Sequence, residues 1–241
     1  MPALNEELSL PHAAANVLSE FERFSLKGEL LIVNDGSRDR TFEIAESLMN
    51  SNKNVKVLHH DSPLGIGAAF RDGLRVACGE IVVFIPGDGE IDAAEVFKNI
   101  HFMSEVDMVV PYMVNLELRS WHRRILSAIY QEIMSKTFSV SLKYLNGTVL
   151  YRRSILDGII IRNPGFFYQA ELLIKTINKK YSFVEVPYKM KRRVGGKSKF
   201  LSIRTLAQVV IGYAVLVHEL YIRGDNSMVA SPSSIASSKH G

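Results

Sequence analysis

The sequence predicts an α/β fold in which a mostly parallel sheet is flanked by helices, and three observations predict it. Short apolar runs closed by turn residues alternate with stretches of helical periodicity, repeated about four times before residue 110. The connections between them are short. The run Ile81 to Ile85 is apolar at every position, as in a strand buried on both faces of a parallel sheet. That run stops abruptly in Pro86-Gly87-Asp88-Gly89-Glu90. Asp88 and Glu90 are thereby expected just past the carboxyl end of a central strand, the edge at which open α/β sheets bind ligands. Two carboxylates there suit a hard divalent cation, which takes oxygen ligands and bridges a nucleotide diphosphate.

The elements follow in order. Leu10, Val17, Leu18, Phe21 and Phe24 recur at helical spacing, with Pro11 tolerated in the first turn. Glu29 to Val33 reads as a strand, closed by Asn34-Asp35-Gly36-Ser37. Asp39 is placed to cap a helix that turns Phe42, Ala45 and Leu48 inward. Val55 to Leu58 is a strand, and Gly65 opens a helix to about Cys78. Asp92 and Glu95 form a capping-box pattern for a helix to Met103, and Asp107 to Val110 is a strand. Trp121, Ile125, Ile129 and Ile133 step by four along a helix of residues 119–138. Leu145 to Leu150 reads as a strand containing Gly147. Phe167 to Lys179 is an amphipathic helix, and Tyr181 to Val186 a strand ended by Pro187. Ile203 to Tyr221 is a last helix, whose cleanest apolar run, Val209 to Val217, is too short to span a bilayer. From Arg223 onward Ser, Asn, Pro and Gly dominate, and disorder is expected.

Composition narrows the class. The 241 residues are 47% apolar and 22% charged, as in ordinary globular proteins. A single cysteine, Cys78, excludes an internal disulfide and is expected as a small core residue on a helix. The first residues hold Asn5, Glu6 and Glu7 in place of a basic and then apolar leader. The net charge of +4 is local: Lys191, Arg192, Arg193, Lys197 and Lys199 cluster without an acid, and the rest is close to neutral. Such a patch suits a phosphate-bearing ligand or an anionic membrane surface, and no nucleic-acid-binding motif accompanies it. Gly65-x-Gly67-x-x-Phe70 lacks the third glycine of a dinucleotide fingerprint. Gly196-Lys197-Ser198 lacks the first glycine of a P-loop, position 191 being Lys191.

Five stretches together resemble a known family. Pro2, Ala3, Asn5 and Glu6 are similar to an opening Pro-x-x-Asn-Glu, and Asp35, Gly36, Ser37, Asp39 and Thr41 to a motif at the end of the second strand. Gly65, Gly67 and Ala69 match a glycine loop, Pro86-Gly87-Asp88 an Asp-x-Asp position, and Arg193, Gly196, Ser198 and Lys199 an Arg-x-x-Gly-x-Ser-Lys element. In this order they resemble the family 2 glycosyltransferases of GT-A fold, close to the dolichyl- and polyprenyl-phosphate sugar synthases. Two departures stand out: Pro86 replaces the first Asp of Asp-x-Asp, and the strand that ends at Pro2 in the family is missing. The second implies a start upstream of Met1 or a truncated product.

The resemblance implies an inverting, metal-dependent glycosyltransferase that moves a sugar from a nucleoside-diphosphate sugar to a polyprenyl-phosphate-like acceptor. Asp88, with Glu90, would hold Mg2+ or Mn2+, and Asp88, Arg193 and Lys199 would be catalytic. Pro2, Ala3, Asn5, Glu6, Asp35, Gly65, Gly67, Lys197 and Ser198 would bind the donor. Arg119, Arg123 and Arg124 would meet the acceptor phosphate. An ionised phosphate needs no general base; a saccharide hydroxyl would, and Glu171 is the candidate. A degenerate nucleotide-sugar-binding protein is the third reading. Residues 1–200 would form the nucleotide-sugar domain, 201–222 an apolar helix that lies on a membrane surface or packs on the domain, and 223–241 a tail. The enzyme would work at the cytoplasmic membrane face.

Overall fold

The computed structural model describes residues 1–115, 121–189 and 203–222. The expected alternation is present: β1 (Pro2–Ala3), α1 (Leu10–Arg23), β2 (Leu30–Asn34), α2 (Thr41–Ser51), β3 (Val55–His59), α3 (Ile66–Val76), β4 (Ile81–Val83) and α4 (Ala93–Phe97). A 3-10 turn (Ile100–Ser104) leads to β5 (Met108–Met113) and α5 (Trp121–Phe138). Then come β6 (Leu150–Arg152), α6 (Arg153–Leu156), α7 (Tyr168–Asn178), β7 (Phe183–Tyr188) and α8 (Ile203–Val217), which continues as a π-type turn, His218–Ile222.

The strands form two sheets, ordered β1-β2-β3 and β4-β6-β5-β7. The first is parallel throughout, with Pro2 opposite Val33 and Leu30 opposite Val55. The second is mixed. The chain returns through β6 between β4 and β5, so β6 is antiparallel to both, while β5 and β7 are parallel. Both faces are covered. Met108 and Val110 of β5 face a core with α7, while Val109 faces the core beneath α1 and α4. That two-sided burial is why its apolar run does not alternate with polar residues.

Four expectations need correction. The first strand is not wholly missing: Pro2 and Ala3 lie beside β2, and the Met1 amine donates to the Leu31 carbonyl at 2.6 Å. The run Ile81 to Ile85 is not a central strand of a parallel sheet. Its first three residues form β4, at the margin of the mixed sheet and half-buried, and only Phe84 and Ile85 are buried. Beside it, Met1, Leu31, Val33, Gly73, Val82 and Val83 line a groove between the two sheets. Cys78 lies beyond the end of α3 and is exposed. Pro187 does not end the last strand but lies inside it, opposite Tyr112. Neighbouring Tyr188 and Ser182 turn their carbonyls to β5, so Pro187 points its nitrogen outward, where an edge strand tolerates proline.

Smaller differences have local causes. The Asp92 helix is shorter than expected, although its side chain accepts the Ala94 N–H as a cap. The strand expected from Leu145 starts at Leu150, because Gly147 crosses β5 so closely that a Cβ would sit 2.5 Å from the Pro111 carbonyl oxygen. The stepped residues of α5 are exposed: Trp121 is 63%, Ile125 52% and Ile129 52% accessible. The last helix also exceeds the expected apolar run. Thr205–Ile222 is 18 residues long with mean hydropathy 1.5, long and apolar enough by composition to cross a membrane. It buries Leu216 and Leu220 against the domain and exposes Leu206, Val210 and Ile211.

Where Met1 is the first residue, its amine carries a pH consequence. Burial pushes its pKa down from 8.0 to about 5. The folded chain therefore holds the amine neutral where the unfolded chain protonates it, so stability is full above pH 8 and falls as pH drops towards 5. Three units correspond to about 4 kcal/mol across that window. In a chain that retains Met1, the urea midpoint is expected to rise from pH 5 to pH 8, and acetylating the amine to flatten that slope. An identical slope after acetylation would refute it.

Candidate active site

The opening segment is stitched onto the loop after β2. The Asn5 N–H donates to Ser37 Oγ at 3.0 Å, and Asn5 Oδ1 accepts the Arg38 N–H at 2.9 Å. The Glu6 N–H donates to Thr41 Oγ1 at 2.8 Å and the Glu7 N–H to Asp39 Oδ2 at 3.2 Å. Asn5 takes a positive φ of 54° to do so, a conformation asparagine tolerates better than most residues. Asp39 also accepts the Thr41 N–H and hydroxyl, as its capping role predicts. These bonds outweigh the upward push of burial and hold its carboxyl below the ordinary range.

Asp35 sits at the carboxyl end of β2 and is 3% exposed. Its Oδ1 accepts the Leu64 N–H at 2.9 Å and lies 2.7 Å from His60 Nδ1, and its Oδ2 accepts the Gly65 N–H at 2.9 Å. His60 Nε2 lies 3.4 Å from Asp72 on α3. The carboxylate thus fixes the start of the glycine loop. Gly65 and Gly67 are needed there for a reason the sequence does not state. A Cβ on Gly65, whose φ is +103°, would lie 2.4 Å from the Pro164 carbonyl oxygen, and one on Gly67 2.3 Å from that of Asn163. The Gly67 N–H donates to Pro164 at 2.7 Å. The close approach seen here is made by the protein's own backbone.

The Asp88 loop is held against the opening segment. The Gly87 N–H donates to the Pro2 carbonyl at 3.0 Å, and a Cβ on Gly87 would meet Ala3 at 3.3 Å. Farther on, Asn16 of α1 accepts the Ala93 N–H at 2.8 Å and donates to Asp92 at 3.2 Å. Within the turn Asp88 Oδ1 accepts the Glu90 N–H at 3.0 Å, and Gly89 supplies the positive φ. The Asp88 turn and the Pro2–Glu6 segment are therefore brought together. Among the described residues no group of three His, Cys, Asp or Glu side chains is placed to hold a metal by itself. Asp88 and Glu90 supply hard oxygen donors that fit Mg2+ or Mn2+ when a diphosphate and water complete the shell.

Glu171 is a different case. It is 3% exposed, and its Oε1 accepts the Arg162 N–H at 2.9 Å and Lys175 Nζ at 2.7 Å. Its Oε2 accepts the Asn163 N–H at 2.9 Å. A carboxylate so engaged holds a turn in place, and the candidate base for a hydroxyl acceptor is lost. Lys175 also reaches the Ile160 carbonyl and Glu219, both at 2.9 Å, and Arg162 lies 3.3 Å from Glu219. For Glu219, burial raises the carboxyl, and Lys175 and then Arg162 outweigh it, so it ends below the ordinary range. This network is built from residues far apart in sequence. Its one local signal is the i,i+4 spacing of Glu171 and Lys175.

Arg124 is exposed on the first turn of α5, and Arg123 lies beside it in that helix. Arg119, Arg193, Lys197, Ser198 and Lys199 lie outside the described residues, as does the tail 223–241.

The geometry is matched by comparison with known proteins. The chain is 28% identical over 219 residues to a polyprenol monophosphomannose synthase of Mycolicibacterium smegmatis, covering 83% of this chain and 78% of that protein. It is 27% identical over 208 residues to a dolichol-phosphate mannosyltransferase of Pyrococcus furiosus, again covering 83% of this chain but only 57% of the relative. Among solved structures, a glucosyl-3-phosphoglycerate synthase of Mycobacterium tuberculosis, in complex with Mn2+, UDP-glucose and phosphoglyceric acid, superposes with a TM-score of 0.69. That match is 21% identical and covers 90% of this chain and 77% of the other, and it carries the fold. The sequence profile of Glycosyl transferase family 2 matches residues 1–160, and the chain belongs to that family.

Proposed function

We propose that this glycosyltransferase moves a sugar, with inversion at its anomeric carbon, from a nucleoside-diphosphate sugar to a polyprenyl-phosphate acceptor at a membrane face. The observation that carries the reading is the Gly87-to-Pro2 hydrogen bond, which sets the Asp88 turn against the segment stitched onto the Asp35 loop. Nucleoside-side groups and a diphosphate-side carboxylate then share one edge of the fold. The two polyprenol- and dolichol-phosphate relatives support the acceptor class.

Pro2, Ala3, Asn5, Glu6, Asp35, Gly65 and Gly67 frame the donor. Asp88 and Glu90 would hold a divalent cation, which would supply charge neutralisation for the diphosphate leaving group. Arg193, Lys197, Ser198 and Lys199 would supply cationic and hydroxyl partners to the same phosphates, and Arg119, Arg123 and Arg124 would meet the acceptor phosphate. That phosphate is ionised at neutral pH and attacks without a general base, which agrees with the engagement of Glu171. The exposed apolar residues of α5 and α8 lie on the membrane surface, where such a lipid is found.

The test is nucleotide release from a panel of nucleoside-diphosphate sugars, with and without Mn2+ or Mg2+, and with polyprenyl phosphate in vesicles. Release that needs both metal and lipid phosphate is the expected result. Release indifferent to the lipid moves the acceptor to a hydroxyl or to water. Binding without release identifies a degenerate nucleotide-sugar binder.

A further inference from the structure

We propose that Glu219, at the end of the C-terminal helix, is a positioning residue for the donor loop, acting through Lys175, Glu171 and the turn Arg162 to Gly165. The inference rests on the donor-site reading above and deepens it. Each step is a short polar contact. Glu219 Oε2 accepts Lys175 Nζ at 2.9 Å, and Lys175 donates to Glu171 at 2.7 Å. Glu171 in turn accepts the Arg162 and Asn163 N–H groups, both at 2.9 Å. The next residue, Pro164, offers its carbonyl to Gly67 at 2.7 Å and to Ala68 at 3.4 Å. At Gly65 and Gly67 nothing larger than hydrogen fits beneath that turn.

Burial makes the chain of contacts stiff. The side chains of Lys175 and Glu171 are only 6% and 4% exposed, so neither charge has water as an alternative partner. The charges also balance: Lys175 sits between two carboxylates, and Glu219 between Lys175 and Arg162. Without the Glu219 charge, the ammonium recentres on Glu171 and competes with the two backbone N–H groups that shape the turn. A second contact ties the same helix to the same turn. Gly212 lies so close to Asn163 that a Cβ there would be 2.4 Å from its Nδ2, while Asn163 Oδ1 accepts the Gly165 N–H at 2.9 Å. The exposed apolar face of α8 and the donor loop are thus two ends of one connected structure.

Glu219→Gln in the full chain tests this by two readouts. The Gly67 and Ala68 amides, measured by hydrogen exchange, are expected to exchange about tenfold faster than in the native chain. The donor KM is expected to rise about five- to tenfold, with kcat and the acceptor KM within about twofold. Glu219→Asp, which keeps the charge on a shorter side chain, restores most of both effects. Glu132→Gln, which breaks only an exposed pair with Lys136 on α5, leaves both unchanged. Unchanged exchange at Gly67 and Ala68 overturns the proposal. So does faster exchange with an unaltered donor KM, and so does a parallel collapse of kcat and thermal midpoint. If the native chain uses no nucleoside-diphosphate sugar, the donor-site reading fails and the Glu219 role as stated fails with it. The exchange data then still decide whether Glu219 holds the loop.

Discussion

Asp88→Asn is expected to lower nucleotide release about 10²- to 10³-fold, with the thermal midpoint within about 2 °C of the native chain. The two expectations separate because Asp88 does two things. Its Oδ1 accepts the Glu90 N–H within the turn, and an asparagine carbonyl takes over that bond. What asparagine does not supply is the negative charge that the proposed cation would require. Pro86 makes the loss larger, since the neighbouring carboxylate that would share the load is absent. Glu90→Gln is expected to cost less, about tenfold, because Glu90 assists and Asp88 remains. Steady-state release at saturating Mn2+ measures both. An Asp88→Asn chain with activity within threefold of native would remove Asp88 from the chemistry.

Lys175→Met is expected to destabilise the fold by about 3–5 kcal/mol, the cost of leaving buried carboxylates without their cation. Glu171 is enclosed, and among the described residues Glu219 keeps the cation of Arg162, whose side chain is 42% exposed. The methionine fills similar space, so the loss is electrostatic and not a cavity. Combining Lys175→Met with Glu171→Gln and Glu219→Gln is expected to recover part of the loss, because the uncompensated charges go with it. Urea unfolding of the single and triple variants checks this. A single-variant loss under 1 kcal/mol would show that water reaches the network.

How far the sequence could be read depends on how local each cause is. Asp39 capping α2, Pro11 in the first turn of α1 and the turn after Asn34 were legible, because each is set by neighbours a few residues away. The order of the motifs set Asp35 in the turn after β2 and Asp88 in a turn beyond β4, and both turns are there. The direction of β6 was not legible, since it depends on which neighbours Leu150–Arg152 finds across the sheet. That reversal makes the sheet of the Ile81 run mixed, and β4 lies at its margin because the short β1 pairs with β2 alone. Glu171 misled for the same reason. Its partners Arg162 and Asn163 meet it only when the loop before α7 folds back, Glu219 joins through Lys175 only after α8 packs, and one sequence-local contact, Lys175, gave little warning. Cys78 looked like a core residue by type, and only the end of α3 at Val76 puts it in solvent.

Pro187 bears on solubility. A strand at the margin of a sheet offers its unpaired N–H row as a template for another chain, and aggregation follows that row. On β7 the outward row is interrupted where the pyrrolidine ring replaces a donor. An incoming strand would meet a missing bond and a projecting ring one residue from the end of β7. Among the described residues, the outer margin of the mixed sheet is in this way guarded by a residue that costs the inner ladder nothing.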